Sequence, residues 1–168
     1  AYPIAKALAN RGVEVTTILG FRSIDLAFLI DEFKALSHDF YLMTDDGSSG
    51  NKGFVTDALA PLISNHPFDR VYAIGPLVMM KSVSLMTKEK QIETIVSMNP
   101  IMVDGTGMCG GCRVTVGNQT KFACVDGPDF DGHLIDFDEA IKRNAMYQNI
   151  EKRKHYHLCK LLGENDEK

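Results

Sequence analysis

The sequence predicts an α/β protein with a doubly wound parallel sheet and a small C-terminal lobe. Helical and strand-like segments alternate from residue 1 to about residue 99 and are joined by short connections, which is the pattern of parallel sheets whose strands are linked by helices. The alternation stops at Pro100. Residues 101–132 are rich in glycine and aspartate and contain three of the four cysteines, which indicates a separate lobe.

The first half of the α/β region reads helix, strand, helix, strand. Pro3–Asn10 has apolar residues at helical spacing and is followed by Arg11-Gly12, a typical helix stop. Val13–Gly20 is a β-branched run that ends in glycine, which predicts a strand buried on both faces. The same criteria predict a helix over Ile24–Leu36 with Ser23 as its N-cap, a strand over Asp39–Thr44 and a polar loop over Asp45–Gly53.

The second half repeats this pattern and leads into the lobe. Its predicted elements are a helix over Phe54–Ser64, a strand over Val71–Ile74, a helix over Met79–Thr87 and a strand-like segment over Glu93–Met98. A last helix is predicted over Phe137–Met146. The predicted organisation is therefore an α/β domain over residues 1–99, a lobe with one helix over 100–146 and a charged tail over 147–168.

Composition excludes several classes of protein. The chain has 168 residues, of which 45% are hydrophobic, and 18 Lys and Arg against 22 Asp and Glu give a net charge of −4. A protein that binds the phosphates of nucleic acids needs surplus basic residues, so no nucleic-acid partner is expected. No apolar stretch approaches the roughly 20 residues of a membrane-spanning helix. The chain starts at Ala1 without a Met or a signal sequence, and we expect the first residues of the native protein to be missing.

The most specific motif is an aspartate followed by three cysteines with the spacing D-x4-C-x2-C-x11-C. Its members are Asp104, Cys109, Cys112 and Cys124. Plant-type [2Fe-2S] proteins have the spacing C-x4-C-x2-C with a distant fourth cysteine, so the offsets agree with Asp104 in the first place. A structural zinc ion bound by Asp and three Cys is the alternative, and the spacing favours the cluster. Cysteines clustered in this way indicate a reducing compartment, the cytoplasm.

A hairpin is predicted directly after the second of these cysteines. Arg113–Val116 and Gln119–Val125 are strand-like and flank the two-residue turn Gly117-Asn118. Such a turn pairs position 112 with position 123, which would bring Cys112 and Cys124 together. Cys159 lies in a helix-like segment of the tail and is expected to be a helix residue rather than a ligand.

Three further groups of residues follow successive predicted strands. Ligands bind at the carboxyl ends of the strands in open parallel sheets, and glycine loops there present N–H groups to phosphates. Each group also has an ordinary interpretation, namely a surface charge, a solvated loop or core packing. The groups are Arg22 with Ser23, the loop Asp45–Gly53, and Gly75 with Pro76 and Met79.

The segments 44–56 (TDDGSSGNKGFVT), 73–80 (AIGPLVMM) and 104–124, in this order and spacing, resemble the ferredoxin-NADP reductase-like electron-transfer subunits. That family includes the small subunits of sulfide dehydrogenase (NADH-dependent ferredoxin:NADP oxidoreductase), the gamma subunits of soluble hydrogenases and the electron-transfer subunits of dihydroorotate dehydrogenase. The resemblance covers residues 1 to about 145. It implies an NAD(P)-binding domain over 1–99 and a [2Fe-2S] lobe over 100–146. It also implies that an FAD-binding barrel and the first strand of the NAD(P) domain precede Ala1, so this chain alone is expected to be inactive.

The resemblance implies a role for each group of residues and names no catalytic side chain. Electrons would pass between NAD(P)H, FAD and the cluster to a larger catalytic oxidoreductase subunit, with ferredoxin as a further candidate partner. The alternative is a zinc-stabilised, non-enzymatic module for nucleotide sensing or interaction. The implied site residues are Arg22 and Ser23 near the adenosine of NAD(P); Asp45, Asp46 and Gly47 lining its cleft; Gly75, Pro76 and Met79 near its pyrophosphate and nicotinamide; and Asp104, Cys109, Cys112 and Cys124 on the cluster.

Overall fold

A computed structural model describes residues 1–147 and residue 150. The chain divides into two compact units. Unit 1 contains Ala1–Val96 together with Asp131–His133. Unit 2 contains Ser97–Phe130 and the described residues from Leu134 onward. No helix within the described ranges has the length and apolar character needed to cross a membrane.

The first half of unit 1 is a pair of parallel strands with two helices. Strands β1 and β2 run in register, and their last residues Phe21 and Thr44 are partners. The carboxyl ends of the two strands therefore lie side by side, and the loops that follow them start from the same edge. The elements in order are α1 (Tyr2–Ala9), β1 (Thr16–Phe21), α2 (Ile30–Leu36) and β2 (Asp39–Thr44).

The second half of unit 1 repeats this arrangement. Strands β3 and β4 are parallel, with Arg70 opposite Glu93. Residue Gly132 belongs to this unit, and its N–H donates to the carbonyl of Thr94 (2.8 Å). Met80 and Val96 are completely buried in the unit. The elements are α3 (Val55–Asn65), β3 (Arg70–Ala73), α4 (Leu77–Glu89) and β4 (Glu93–Ser97). The sheet order is β3-β4-β7, where β7 is the short strand Asp129–Asp131, of which only Asp131 belongs to unit 1.

The predicted α/β class with parallel strand pairs is confirmed, but several local predictions are wrong. The helix expected over residues 24–36 is interrupted: Ile24–Leu26 forms one 3₁₀ turn, and α2 begins only after Leu29, whose left-handed backbone (φ 55°) breaks the helical hydrogen-bond pattern. Ser23 makes no side-chain cap bond. β1 starts at Thr16 rather than Val13, and Thr17 is its one buried residue, so it is not a strand buried on both faces. The strands also form two separate parallel pieces instead of one continuous sheet.

Unit 2 is built on an antiparallel hairpin and one helix. The turn residues Gly117 (φ 55°) and Asn118 (φ 64°) both have positive φ, as the tight hairpin turn requires. Helix α5 ends at Asn144, and a 3₁₀ turn over Ala145–Tyr147 continues the predicted helical segment. Cys159 and most of the predicted tail lie outside the described residues. The regular elements are β5 (Arg113–Val116), β6 (Gln119–Phe122) and α5 (Phe137–Asn144).

Candidate functional site

The hairpin of unit 2 brings two of the predicted ligands together. Arg113 pairs with Phe122, and the N–H of Ala123 donates to the carbonyl of Cys112 (3.1 Å), which confirms the predicted pairing of positions 112 and 123. One residue further along, the Sγ atom of Cys124 lies 3.2 Å from the Sγ atom of Cys112. Cys112 is almost fully buried, with 1% of its surface exposed. The two sulfurs are thus held at the open end of the hairpin.

The other two predicted ligands are joined within the loop that precedes the hairpin. One carboxylate oxygen of Asp104 accepts the N–H of Thr106 (2.8 Å), and the other accepts the N–H of Cys109 (3.0 Å). The loop turns sharply at Gly105 (φ 76°) and Gly107 (φ 84°), a backbone conformation that favours glycine. Asp104 therefore fixes the backbone of Cys109, whose side chain is exposed.

Backbone N–H groups are directed at the sulfurs. The N–H of Gly111 donates to the Sγ of Cys109 (3.4 Å). The N–H of Cys124 donates to the sulfur of Cys112 and is the main reason that the pKa of the Cys112 thiol is lowered. The hydrogen bond with Cys112, followed by burial, raises the pKa of Cys124, while the N–H of Gly107 opposes this effect. These contacts favour the thiolate, the form that binds metal, more at Cys112 than at Cys124.

The electrostatics of Asp104 also suit a metal ligand. The N–H of Thr106, together with the contacts from Cys109, holds the pKa of its carboxyl below the usual range. Asp104 is therefore ionised at neutral pH. A charged carboxylate that already accepts two N–H bonds keeps further lone pairs for a cation.

The four residues are arranged as two pairs, Asp104 with Cys109 and Cys112 with Cys124. Within residues 1–147, no group of three or more His, Cys, Asp or Glu side chains is gathered closely enough to hold a single metal ion. Three thiols, one ionised carboxylate and N–H groups aimed at the sulfurs nevertheless fit a binuclear iron-sulfur cluster, which takes four ligands over two irons. A mononuclear zinc site needs all four ligands around one point.

At the edge of unit 1, the predicted residues after β1 and β2 lie together. The N–H of Asp45 donates to the carbonyl of Phe21 (3.1 Å), and that of Asp46 donates to the carbonyl of Arg22 (3.3 Å). Ser48 connects the two loops: its hydroxyl accepts the N–H of Ile24 (2.8 Å) and donates to the carboxylate of Asp46 (2.6 Å). The hydrogen bond from the Ser48 hydroxyl, followed by the one from the Ser48 N–H, lowers the pKa of Asp46.

At the same edge of unit 1, the backbone of β1 lies very close to a side chain of helix α3. Gly20, in β1, is so near helix α3 that an added Cβ atom would lie 2.6 Å from a methyl group of Val55. Gly47 has a left-handed backbone (φ 83°), which favours glycine in this loop. The structure thus bonds Arg22 to Asp46 directly, and it brings the loop that contains Ser23 against the loop that contains Asp45 and Gly47.

Gly75, Pro76 and Met79 form a group at the carboxyl end of β3, in the other parallel piece of unit 1. Pro76 is the N-cap residue of α4. A Cβ atom on Gly75 (φ 158°) would lie 2.6 Å from the terminal methyl group of Met79. The three residues are therefore neighbours, as their short spacing in the sequence requires.

Sequence reasoning missed several residues that shape these sites. Ser48 and Thr106 each follow an aspartate by two residues, and an aspartate that accepts the N–H two positions on is a common turn motif, so Asp-Gly-Ser and Asp-Gly-Thr could have indicated them. No local pattern indicates Arg143, whose guanidinium reaches the carbonyl of Gly111 (3.4 Å).

Comparison with known proteins identifies relatives for almost the whole chain. Residues 99–136 match the family model described as the iron-sulfur cluster binding domain of dihydroorotate dehydrogenase B. A Thermotoga maritima protein named as a homolog of the dihydroorotate dehydrogenase B (NAD(+)) electron transfer subunit is 52% identical over 98% of this chain and 58% of its own length. A Methanocaldococcus jannaschii protein named as a probable subunit of this kind is 37% identical over 82% of this chain and 53% of its own length.

A solved structure of the NADH-dependent reduced ferredoxin-NADP oxidoreductase, described in connection with flavin-based electron bifurcation, is also similar. It has a TM-score of 0.83 and 50% identity over 94% of this chain and 56% of the solved chain. This chain spans just over half the length of the relatives that it matches. Over nearly all its residues, the chain is therefore similar to proteins named as electron-transfer subunits of the dihydroorotate dehydrogenase B type.

Proposed function

We propose that unit 2 binds a [2Fe-2S] cluster through Asp104, Cys109, Cys112 and Cys124. The observation that carries the proposal is the pair of sulfurs of Cys112 and Cys124, 3.2 Å apart and supplied with backbone N–H donors. Such a cluster, when bound, accepts and releases single electrons. The chain's own residues hold the ligands: Asp104 fixes Cys109, and the hairpin fixes the other two.

We further propose that residues 1–99 form an NAD(P)-binding domain and residues 100–146 the cluster lobe. Arg22, Ser23, Asp45, Asp46 and Gly47 would contact the nucleotide at the ends of β1 and β2, where the structure joins their loops. A second part of the cofactor site is assigned to Gly75, Pro76 and Met79 at the end of β3.

In the whole protein, we propose, electrons pass between NAD(P)H, FAD and the cluster to a larger catalytic subunit or to ferredoxin, in the cytoplasm. The names of the relatives and the match of residues 99–136 support this assignment. Exposed apolar side chains beside the cysteine loop, Val103, Met108 and Val125, are suited to a protein partner. We expect the chain by itself to show no NAD(P)H-dependent turnover, because it matches just over half of these relatives.

The test is the visible absorption and electron paramagnetic resonance (EPR) spectrum of anaerobically purified protein, with iron, sulfide and zinc measured on the same sample. We expect about two irons and two sulfides per chain, the composition of a [2Fe-2S] cluster. Cys112→Ser should lose the cluster, while Cys159→Ser, which removes a cysteine outside the proposed ligand set, should keep it. A colourless protein with one zinc, and no cluster after reconstitution, would contradict the proposal and favour a structural zinc module.

A further inference from the structure

Helix α5 is fixed to the hairpin that carries the cysteines. The carboxylate of Asp136 accepts the N–H of Glu139 (2.9 Å) and so caps the helix, while the N–H of Asp136 donates to the carbonyl of Thr115 in β5 (3.0 Å). The hydroxyl of Thr115 donates in turn to the carboxylate of Glu139 (2.5 Å). Phe137, the first residue of the helix, is buried. The start of α5 is therefore held rigidly on the strand that follows Cys112.

The other end of α5 reaches the cysteine loop through one side chain. Arg143 lies in the last turn, is half-buried, and its Nη2 donates to the carbonyl of Gly111 (3.4 Å). That carbonyl belongs to the peptide bond that links Gly111 to Cys112, and the N–H of the same glycine donates to the sulfur of Cys109. The guanidinium thus contacts the backbone between two of the proposed ligands.

We propose that Arg143 is a positioning residue for the cysteine loop and that its charge raises the reduction potential of the bound cluster. The role rests on the proposed function. Three thiolates and one carboxylate give the ligand set four negative charges, and reduction adds another. A cation nearby stabilises the reduced form more than the oxidised form, and Arg stays charged at all ordinary pH values.

The charges around Arg143 indicate why this side chain, rather than a neighbour, has the effect. The carboxylate of Glu139, one turn earlier in α5, accepts a hydrogen bond from the hydroxyl of Thr115. Lys142 carries the same charge on the same helix but is exposed, and solvent screens an exposed charge. Lys142 therefore provides a matched control for the loss of one positive charge from α5.

The experiment is an anaerobic redox titration of the reconstituted full chain, followed by EPR, for the wild type and for Arg143→Gln, Arg143→Lys and Lys142→Gln. We expect Arg143→Gln to shift the midpoint potential to more negative values and to change the EPR line shape. Arg143→Lys should restore most of the potential because it keeps the charge. Lys142→Gln should match the wild type. A potential unchanged in Arg143→Gln, or shifted equally in Lys142→Gln, would overturn the proposal.

A second readout reports on positioning without the cluster. In the cluster-free protein, the N–H of Gly111, which donates to the sulfur of Cys109, should exchange its hydrogen faster in Arg143→Gln than in the wild type or in Lys142→Gln, because the loop loses the bond that holds the Gly111 carbonyl. Unchanged exchange would refute the positioning role. If the wild type takes up only zinc, the proposed function fails, and the effect on the potential fails with it. A wild type that binds the cluster and an Arg143→Gln variant with unaltered potential and exchange would refute the role of Arg143 alone.

Discussion

The sulfur of Cys112 lies 3.2 Å from the sulfur of Cys124, at the open end of the hairpin formed by β5 and β6. Cys109 belongs to the preceding loop, where its sulfur accepts a hydrogen bond from Gly111 instead. The sulfurs of Cys112 and Cys124 thus contact each other, whereas the sulfur of Cys109 contacts a backbone N–H. The reactivity of these three thiols should therefore differ in the absence of a cluster.

We predict that mild oxidation of the cluster-free protein links Cys112 to Cys124. Hydrogen peroxide would take two electrons from the two thiols, giving one disulfide and two waters, while Cys109 would remain open to alkylation. Peptide mass mapping after alkylation measures both products. Cys109→Ser should form the same link with the same yield. A disulfide that joins Cys109 to either partner would show that the pairing is different in solution.

Replacing Asp104 tests its double role as ligand and as anchor for the loop. Asp104→Ala removes the acceptor for the N–H groups of Thr106 and Cys109, so we expect most of the iron to be lost after reconstitution. Asp104→Cys supplies a thiolate, the usual ligand of such clusters, and should retain about two irons per chain with an altered EPR spectrum. Equal iron content in Asp104→Ala and the wild type would exclude a ligand role for Asp104.

The hydrogen bonds of Asp46 predict a pH dependence. Because Ser48 lowers the pKa of Asp46 in the folded state, the ionised carboxylate contributes stability that is fully present above its usual pKa of 3.8. That stability is lost as the pH falls through the lower pKa of the folded state. Denaturant unfolding measured from neutral pH to below pH 3.8 should show that the difference in the free energy of unfolding between the wild type and Asp46→Asn decreases as the pH falls. Asp45→Asn changes the same charge one residue away, and an identical pH profile for it would contradict the role of Ser48.

The contact between Gly20 and Val55 predicts a cost for a single methyl group. Gly20→Ala would place a Cβ atom 2.6 Å from a methyl group of Val55, a stiff β-branched side chain. We expect a loss of about 1–3 kcal/mol in the free energy of unfolding, as for other overpacked sites. Val55→Ala opens this space, so the double variant should lose less than the sum of the two single variants. Strict additivity would show that the two residues are not in contact.

In both units, the features that the sequence predicts correctly are local ones. β2 is predicted at its observed bounds, because its continuous apolar run, Phe40–Met43, is followed by the turn formers of the loop that begins at Asp45. The pairing of Cys112 with position 123 followed from a two-residue turn with only one compatible geometry. Both of these features are local and depend on few residues.

Two other features could not be predicted from the local sequence. Nothing near Leu29 in the sequence requires positive φ, since the usual marker, glycine, is absent, and so the break before α2 could not be foreseen. The bond from Arg143 to the carbonyl of Gly111 joins residues 32 positions apart. Such contacts are decided by how α5 packs, which periodicity alone does not encode.

The register of the hairpin has a consequence for how the chain tolerates changes in length. Side chains on a strand alternate between its two faces, so a slip of one residue sends each of them to the opposite side. Inserting or deleting a single residue at the turn Gly117-Asn118 would therefore turn Cys124 away from Cys112 even though every cysteine were kept. The number of residues between these cysteines, eleven, therefore constrains the site as strictly as the identity of its ligands.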